Sequence, residues 1–242
     1  MKRSVMRIKV YLWLVMLLCG GFTYAQGTPG SNAVNGKWAP EIFITDLNGM
    51  PIRNKYPDVV GSPFYAPEYK TANITTREGK TFPNVKMRID LVAHETYFLS
   101  SNGTEGIVAM GMIKEISYAD TSSEGVTLRK FQTGFPTIDK QTPDHFYLVL
   151  AEGKCSLLKS VIKKVSERKN EMSGEIAKEF ETYEDYYLFS KGVMKRIKKD
   201  KDFVMNELAD KQVQVSQFVQ TNKLNLKNND HLVKLLNYYN SL

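Results

Sequence analysis

The chain has 242 residues and a formal net charge of +7, from 33 basic and 26 acidic side chains. A hydrophobic content of 42% and a charged content of 24% are ordinary for globular proteins and exclude wholesale disorder. A chain of this length can bury a sizeable core, so we expect one main domain with at most a small appendage.

The first 25 residues have the layout of a cleavable signal peptide. A basic stretch, residues 1–9, precedes an apolar run at residues 10–18, and small side chains stand before the predicted cleavage site at Gln26. The apolar run is shorter than the roughly 20 residues that span a membrane. We therefore expect export through a cleavable signal peptide.

Removal of this segment changes the charge and the cysteine count. It takes away four bases and leaves 29 basic against 26 acidic side chains, so the predicted mature chain carries only +3. This charge does not favour a nucleic-acid partner, and we expect none. Leu18 precedes Cys19, where lipoprotein processing requires a small residue, so lipidation is disfavoured. Cys155 is then a lone thiol, which we expect to be buried and inert.

Strand patterns dominate residues 41–198, after a flexible Gly/Ser/Pro-containing leader at residues 26–40. The clearest strand is residues 84–91, where apolar side chains alternate with polar ones: Val85, Met87, Ile89 and Leu91 against Asn84, Lys86, Arg88 and Asp90. A period of two predicts one buried and one solvated face, which is typical of an antiparallel sheet.

Further strands are predicted at residues 41–47, 72–77, 96–100, 107–118, 126–132, 145–151, 155–165 and 185–189. Short glycine-bearing turns such as Asn102-Gly103 join them, and no helical crossover of adequate length separates them. Residues 51–70 contain several prolines and predict an irregular arm that packs its aromatic side chains. The predicted fold class is α+β, mostly an antiparallel β meander that forms a curved sheet or a partly closed barrel.

Two later segments change character. Residues 166–182 are polar, and the spacing of Met172, Ile176 and Phe180 is compatible with either a short helix or a long hairpin loop. Residues 199–242 contain three short amphipathic stretches, the last opened by the capping residue Asn228, and predict a small C-terminal helical segment.

Three stretches carry a family resemblance: Gly61-Ser62-Pro63-Phe64 with residues 79–88, residues 152–159, and the tail at residues 232–240. Together they resemble a widespread family of uncharacterised exported proteins of Bacteroidota-type Gram-negative bacteria. The resemblance implies a cell-envelope setting, in the periplasm or outer cell envelope of a Gram-negative bacterium, and assigns no activity or catalytic residue.

Motifs of known chemistry are missing from the sequence. His94, His145 and His231 are far apart, and none belongs to the His-Glu-x-x-His pattern of a zinc protease. The chain contains neither a Gly-x-Ser-x-Gly elbow nor a glycine-rich phosphate loop. We therefore expect no catalytic residue, no cofactor and no metal.

Three weaker patterns supply candidate contacts for a ligand or a partner. One is the group Tyr183, Tyr186 and Tyr187 around Glu184-Asp185, which reads either as a sugar-binding platform or as a strand with packed rings. Another is the basic run with Lys195, Arg196, Lys198 and Lys199, either a solvated strand end or a site for an anionic membrane surface. The third is the apolar tail with Tyr238 and Tyr239, which either docks onto the body or contacts an envelope protein.

The sequence as a whole favours a non-enzymatic accessory or protein-interaction module of the envelope. A protein that binds a small lipid-like or sugar ligand is the first alternative, and it requires that the apolar strand face line an open pocket. An envelope hydrolase without a recognisable motif is the second.

Overall fold

The computed structural model describes residues 43–44, 55–123, 125–169, 174, 176–197 and 201–242, all within one unit, Ala33–Leu242. The predicted signal peptide and leader lie outside the described residues. Within the described ranges the chain forms twelve strands, β1 to β12, followed by helices. The strands are Phe43–Ile44, Val59–Val60, Lys70–Thr76, Thr81–Asp90, Glu95–Leu99, Glu105–Val108, Ile113–Ser122, Gly125–Gln132, Tyr147–Ala151, Cys155–Lys169, Ile176–Ser190 and Val193–Arg196.

All twelve strands belong to one sheet, in the order β1-β6-β5-β4-β3-β7-β8-β9-β10-β11-β12, with β2 paired to β11. Every pairing is antiparallel except that of β2 with β11. The sheet curves strongly, because Lys163 N in β10 donates to Leu91 O just after β4, at 3.0 Å. The predicted antiparallel, curved α+β fold is confirmed, and the sheet is open rather than a closed barrel.

The period of two in β4 gives the sheet its buried face. Val85, Met87, Ile89 and Leu91 are between 1% and 3% exposed, and they pack with residues of the neighbouring strands into the largest core cluster. The residues of opposite parity in this strand are solvated only in part. Asp90, which we placed on the wet face, is fully buried. Its Oδ1 atom accepts the N–H groups of the following turn, and its Oδ2 atom accepts the Tyr56 hydroxyl at 3.0 Å.

The proline-containing arm packs its aromatic rings onto the sheet, as predicted. Phe64 and Tyr69 lie against the Arg88 guanidinium, 3.7 and 4.6 Å from its central carbon, and Glu105 accepts a hydrogen bond from Arg88 at 2.6 Å. This arginine projects from the outer face of β4, so the cation–π contacts fasten the arm across that face.

Strands β10 and β11 form a hairpin of two fifteen-residue strands, paired from Cys155↔Ser190 to Lys169↔Ile176. The helix considered for residues 166–182 is therefore wrong, because residues 166–169 and 176–182 are strand. Phe180, whose spacing indicated a helical face, packs edge-to-face on Tyr56 with ring centroids 5.4 Å apart.

The C-terminal helical segment is present as predicted. Its helices are α1, Lys201–Glu207, α2, Gln212–Thr221, and α3, Asn229–Ser241, with a 3₁₀ turn at Ala209–Lys211. Asn228 caps α3, and its side chain accepts the N–H groups of Asp230 and His231. Lys195 and Arg196 lie in β12, before α1, and Asp202 lies in the first turn of that helix, where an acid complements the dipole.

The helices cover one face of strands β9 to β11. Leu157 and Leu188 from the strands pack with Leu235 and Leu236 of α3, and all four are at most 2% exposed. Asn240 fixes the end of α3 to β10, because its side chain accepts Cys155 N at 3.0 Å and donates to Cys155 O at 2.9 Å. Short helices of this length require such packing to be stable.

Candidate functional site

The three tyrosines proposed as a platform do not form one surface. Tyr187 is fully buried, and its hydroxyl donates to Asp139 Oδ2 at 2.9 Å. Tyr183 is 39% exposed, whereas Tyr186 points to the opposite face of β11 and is half-buried. The sugar-platform interpretation is therefore wrong, because strand parity separates Tyr186 from the other two rings.

The basic run is paired where the structure describes it. Lys195 Nζ lies 2.7 Å from Glu207 Oε1, and Arg196 pairs with Asp185 and with Asp139. Lys195 and Arg196 belong to β12, so this part of the run is a strand end. Lys198 and Lys199 lie outside the described residues.

The C-terminal tyrosines dock onto the body. Tyr239 is 5% exposed, and its hydroxyl donates to Asp210 Oδ1 at 2.9 Å. Tyr238 is half-buried and stacks on Phe218 of α2, with ring centroids 3.9 Å apart. Cys155 is 1% exposed, and burial raises the pKa of its thiol to about 11, so it is protonated at neutral pH. These groups belong to the structural core and not to an open site.

Two histidines that are far apart in the sequence meet inside the sheet. The rings of His94 and His145 lie 4.8 Å apart, and His145 Nε2 is 2.7 Å from Ser160 Oγ. A Ser–His pair at this distance has the geometry of a nucleophile and its base. The pair is closed to substrates, however, because Ser160 is 2% and His145 is 4% exposed.

Burial also determines the charge of this pair. It lowers the pKa of His145 to about 3, with a further contribution from the adjacent His94, whose own pKa burial also lowers. A neutral His145 can share a hydrogen bond with Ser160 without placing a charge in the core. We therefore assign the pair a structural role.

A small pocket opens beside His94, with an empty volume of about 310 Å³, part of which is open solvent. Its charged groups are already paired: Arg77 Nη2 lies 2.6 Å from Asp144 Oδ1, and Glu95 pairs with Lys55. Thr96 also lines the pocket, and its Oγ1 atom is buried without a hydrogen-bond partner. None of Val85, Met87, Ile89 and Leu91 lines this pocket; these side chains fill the core instead.

The outer half of the β7–β8 hairpin is an exposed part of the sheet. β8 pairs with β7 from Gly125 to Gln132, but it pairs with β9 only at Phe131 and Gln132. The bridge at Phe131 also uses the Lys130 carbonyl, so residues 126–129 have a neighbouring strand on one side only, among the residues that the structure describes. We call residues 126–129 the β8 edge.

The free side of the β8 edge carries backbone hydrogen-bonding groups in a known order. Thr133 N donates to Lys114 O at 3.0 Å, so the odd-numbered residues of β8 bond to β7. In an antiparallel pair the bonding direction alternates along the strand. The N–H and C=O groups of Val126, Leu128 and Lys130 consequently point away from β7.

The side chains of the β8 edge are unusually apolar for an unpaired strand. Val126 and Leu128 are 70% and 69% exposed, on the face opposite the buried Phe131. Natural edges are usually blunted by lysine, proline or a bulge. Positions 126–128 carry neither charge nor proline, and the nearest charges, Arg129 and Lys130, are paired to acids of the same chain.

Comparison with known proteins identifies no relative of this chain. No family model, no curated protein and no solved structure matches the chain. In the described ranges no three His, Cys, Asp or Glu side chains are grouped as a metal site would need. No helix among the described residues is long and apolar enough to cross a membrane.

The β8 edge was missed by the sequence analysis, although the strand at residues 126–132 was predicted. The exposed Val126 and Leu128 alternate with Thr127 and Arg129, and alternation of this kind normally marks a buried face. The exposure of Val126 and Leu128 shows that these apolar positions are solvated, and the pairing of β8 with β9, which stops at Phe131, shows that they lie on an edge of the sheet.

Proposed function

We propose that the protein is an exported, non-enzymatic interaction module of the Gram-negative cell envelope, and that it binds a strand of another protein chain along the β8 edge. The signal-like first 25 residues and the three family-like stretches support the envelope setting. The observation that carries the binding role is the β8 edge itself, where outward backbone groups coincide with two exposed apolar side chains.

Strand addition suits this edge on physical grounds. A partner strand would take up the outward N–H and C=O groups of Val126 and Leu128, and its apolar side chains would cover the side chains of these two residues. The paired state of Lys195, Arg196 and Tyr239 supports this edge over the basic run or the tail as the contact surface.

Photocrosslinking in the envelope of the host tests the proposal. A photoreactive phenylalanine analogue replaces Leu128 in the full chain, and in a matched control it replaces Val213, which is 78% exposed on α2. We expect a discrete protein adduct from position 128 at several times the yield from position 213. Equal yields at the two positions would contradict the proposed binding edge.

A small-ligand function is the second candidate, favoured by the unpartnered Thr96 hydroxyl in the pocket. A buried hydroxyl without a partner costs about 1–3 kcal/mol, and a small polar molecule that reached Thr96 Oγ1 from the pocket would supply the missing hydrogen bond. Because part of the 310 Å³ is open solvent, the enclosed space is well below the roughly 300–1,000 Å³ of ordinary ligand sites, and the charges of the pocket are paired, so the ligand would be very small and uncharged.

The variant Thr96→Val separates an occupied pocket from an empty one. If a ligand is held, native mass spectrometry of protein purified from its host envelope shows an added non-protein mass, which Thr96→Val loses and Thr121→Val keeps. If wild type shows only the mass of the protein and Thr96→Val melts at a higher temperature, the buried hydroxyl destabilises the fold and no ligand compensates for it. The small-ligand candidate then fails.

A further inference from the structure

We infer that the strand that occupies the β8 edge belongs to a second copy of this chain, in an antiparallel β8–β8 pair around a two-fold axis at Thr127. This inference rests on the proposed function and names its partner. It would join the sheets of two molecules into one continuous sheet.

Backbone parity restricts the possible registers. Because Val126, Leu128 and Lys130 carry the outward groups, two β8 edges can exchange hydrogen bonds only when even-numbered residues lie opposite even-numbered residues. An axis at Thr127 meets this condition and places Val126 of each copy opposite Leu128 of the other. An axis at Leu128 also meets it, but it places Val126 opposite Lys130.

Side-chain matching favours the axis at Thr127. All four apolar side chains then meet on one face of the joined sheet, where cross-strand apolar pairs are stabilising. Arg129 falls opposite Gly125, so no two like charges are opposed. The two Arg129 residues lie about 14 Å apart along the strands, beyond the screening length of about 8–10 Å at physiological salt.

Closure also supports a second copy as the occupant. An unpaired edge with exposed apolar side chains is a template for uncontrolled pairing. A two-fold pair uses the free edge of both molecules at once, so the assembly ends at two. The contact of about five residues on each chain is small for an obligate interface, so we expect a weak dimer with a Kd of about 1–100 µM.

Sedimentation velocity over a concentration series from about 1 to 300 µM tests the association. The wild-type chain should pass from monomer to dimer, and the double variant Val126→Lys/Leu128→Lys should raise the dissociation constant at least tenfold at an unchanged melting temperature. The matched control Val213→Lys, on an equally exposed apolar site, should dimerise like wild type. A wild-type chain that stays monomeric at 300 µM overturns the inference.

A cysteine at the proposed axis tests the register. Residues on the axis form a non-hydrogen-bonded pair with Cα atoms about 4.5 Å apart, within the range of a disulfide. In a Cys19→Ser background, Thr127→Cys should give a covalent dimer under mild oxidation. Thr121→Cys, one strand further from the axis, should not, and the buried Cys155 does not interfere. Equal linkage at both positions, or none at Thr127→Cys, overturns the register.

The two proposals fail separately. If the adduct from position 128 in the envelope has twice the mass of the chain, both stand. An adduct with a different protein, together with a monomeric purified chain, overturns the self-pairing and leaves the binding edge in place. Equal, non-specific adducts from positions 128 and 213 contradict both.

Discussion

Ile89→Asp should abolish folding. Ile89 lies near the C-terminal end of β4, is 3% exposed and packs in the largest core cluster, so the substitution places a carboxylate among apolar side chains. The cost of burying an unpaired charge is several kcal/mol, and the lost apolar contacts add about 2 kcal/mol more. Together they approach or exceed the roughly 5–15 kcal/mol by which a typical domain is stable.

The same substitution on the other face of β4 is the matched control. Lys86 is exposed, three residues earlier in the same strand, so Lys86→Asp should change the free energy of unfolding by no more than about 0.5 kcal/mol. Solubility after expression and cooperative thermal unfolding, followed by circular dichroism, measure the difference. A soluble Ile89→Asp variant that melts like wild type would show that the β4 face is not the core.

This contrast explains why the sheet could be predicted from the sequence. The strand at residues 84–91 can be recognised in the sequence because a strand with one buried and one solvated face has a period of two in its side chains. The C-terminal helices can be recognised for a similar reason, since Asn228 caps α3 and apolar residues recur at helical spacing after it. Both signals are local, and neither depends on distant parts of the chain.

The long β10–β11 hairpin could not be read in the same way. Its outer half is exposed on both faces, so residues 166–169 and 176–182 do not show the alternation of apolar and polar side chains that burial of one face produces. Phe180 contacts a distant segment there, through Tyr56, whereas Ile176 is largely exposed. Their spacing resembled that of a helix because nothing in the local sequence shows whether an apolar residue has a distant partner.

The candidate sites were the least predictable part. His94 and His145 are separated by about fifty residues and meet only because β10 is brought near the end of β4 by the curvature of the sheet. The β8 edge depends on where the pairing with β9 stops, which is a property of the whole sheet. A site whose residues are brought together by the topology of the sheet has no characteristic residue spacing in the sequence.

The buried His145 should make the protein unusually sensitive to acid. Its pKa is lowered to about 3 in the folded state, against about 6.5 in the unfolded chain. Between these values the unfolded state binds the additional proton, so stability is complete above pH 6.5 and is lost as the pH falls toward 3. From pH 7 to pH 4 this residue alone should lower the free energy of unfolding by about 3 kcal/mol.

Urea unfolding at pH 7, 5.5 and 4 measures this effect for wild type, His145→Gln and His231→Gln. Carboxylates that titrate in the same range lower the stability of all three proteins alike, so the informative quantity is the difference between their pH dependences. His145→Gln keeps an amide that can bond to Ser160 but cannot take up the proton, and it should lose about 3 kcal/mol less than wild type. His231→Gln, altered on α3 away from the buried pair, should follow wild type. If the free energy of unfolding depended on pH in the same way for all three proteins, His145 would be protonated without cost in the folded state and would therefore be hydrated. Substrates could then reach the Ser160–His145 pair, and the hydrolase alternative would again be supported.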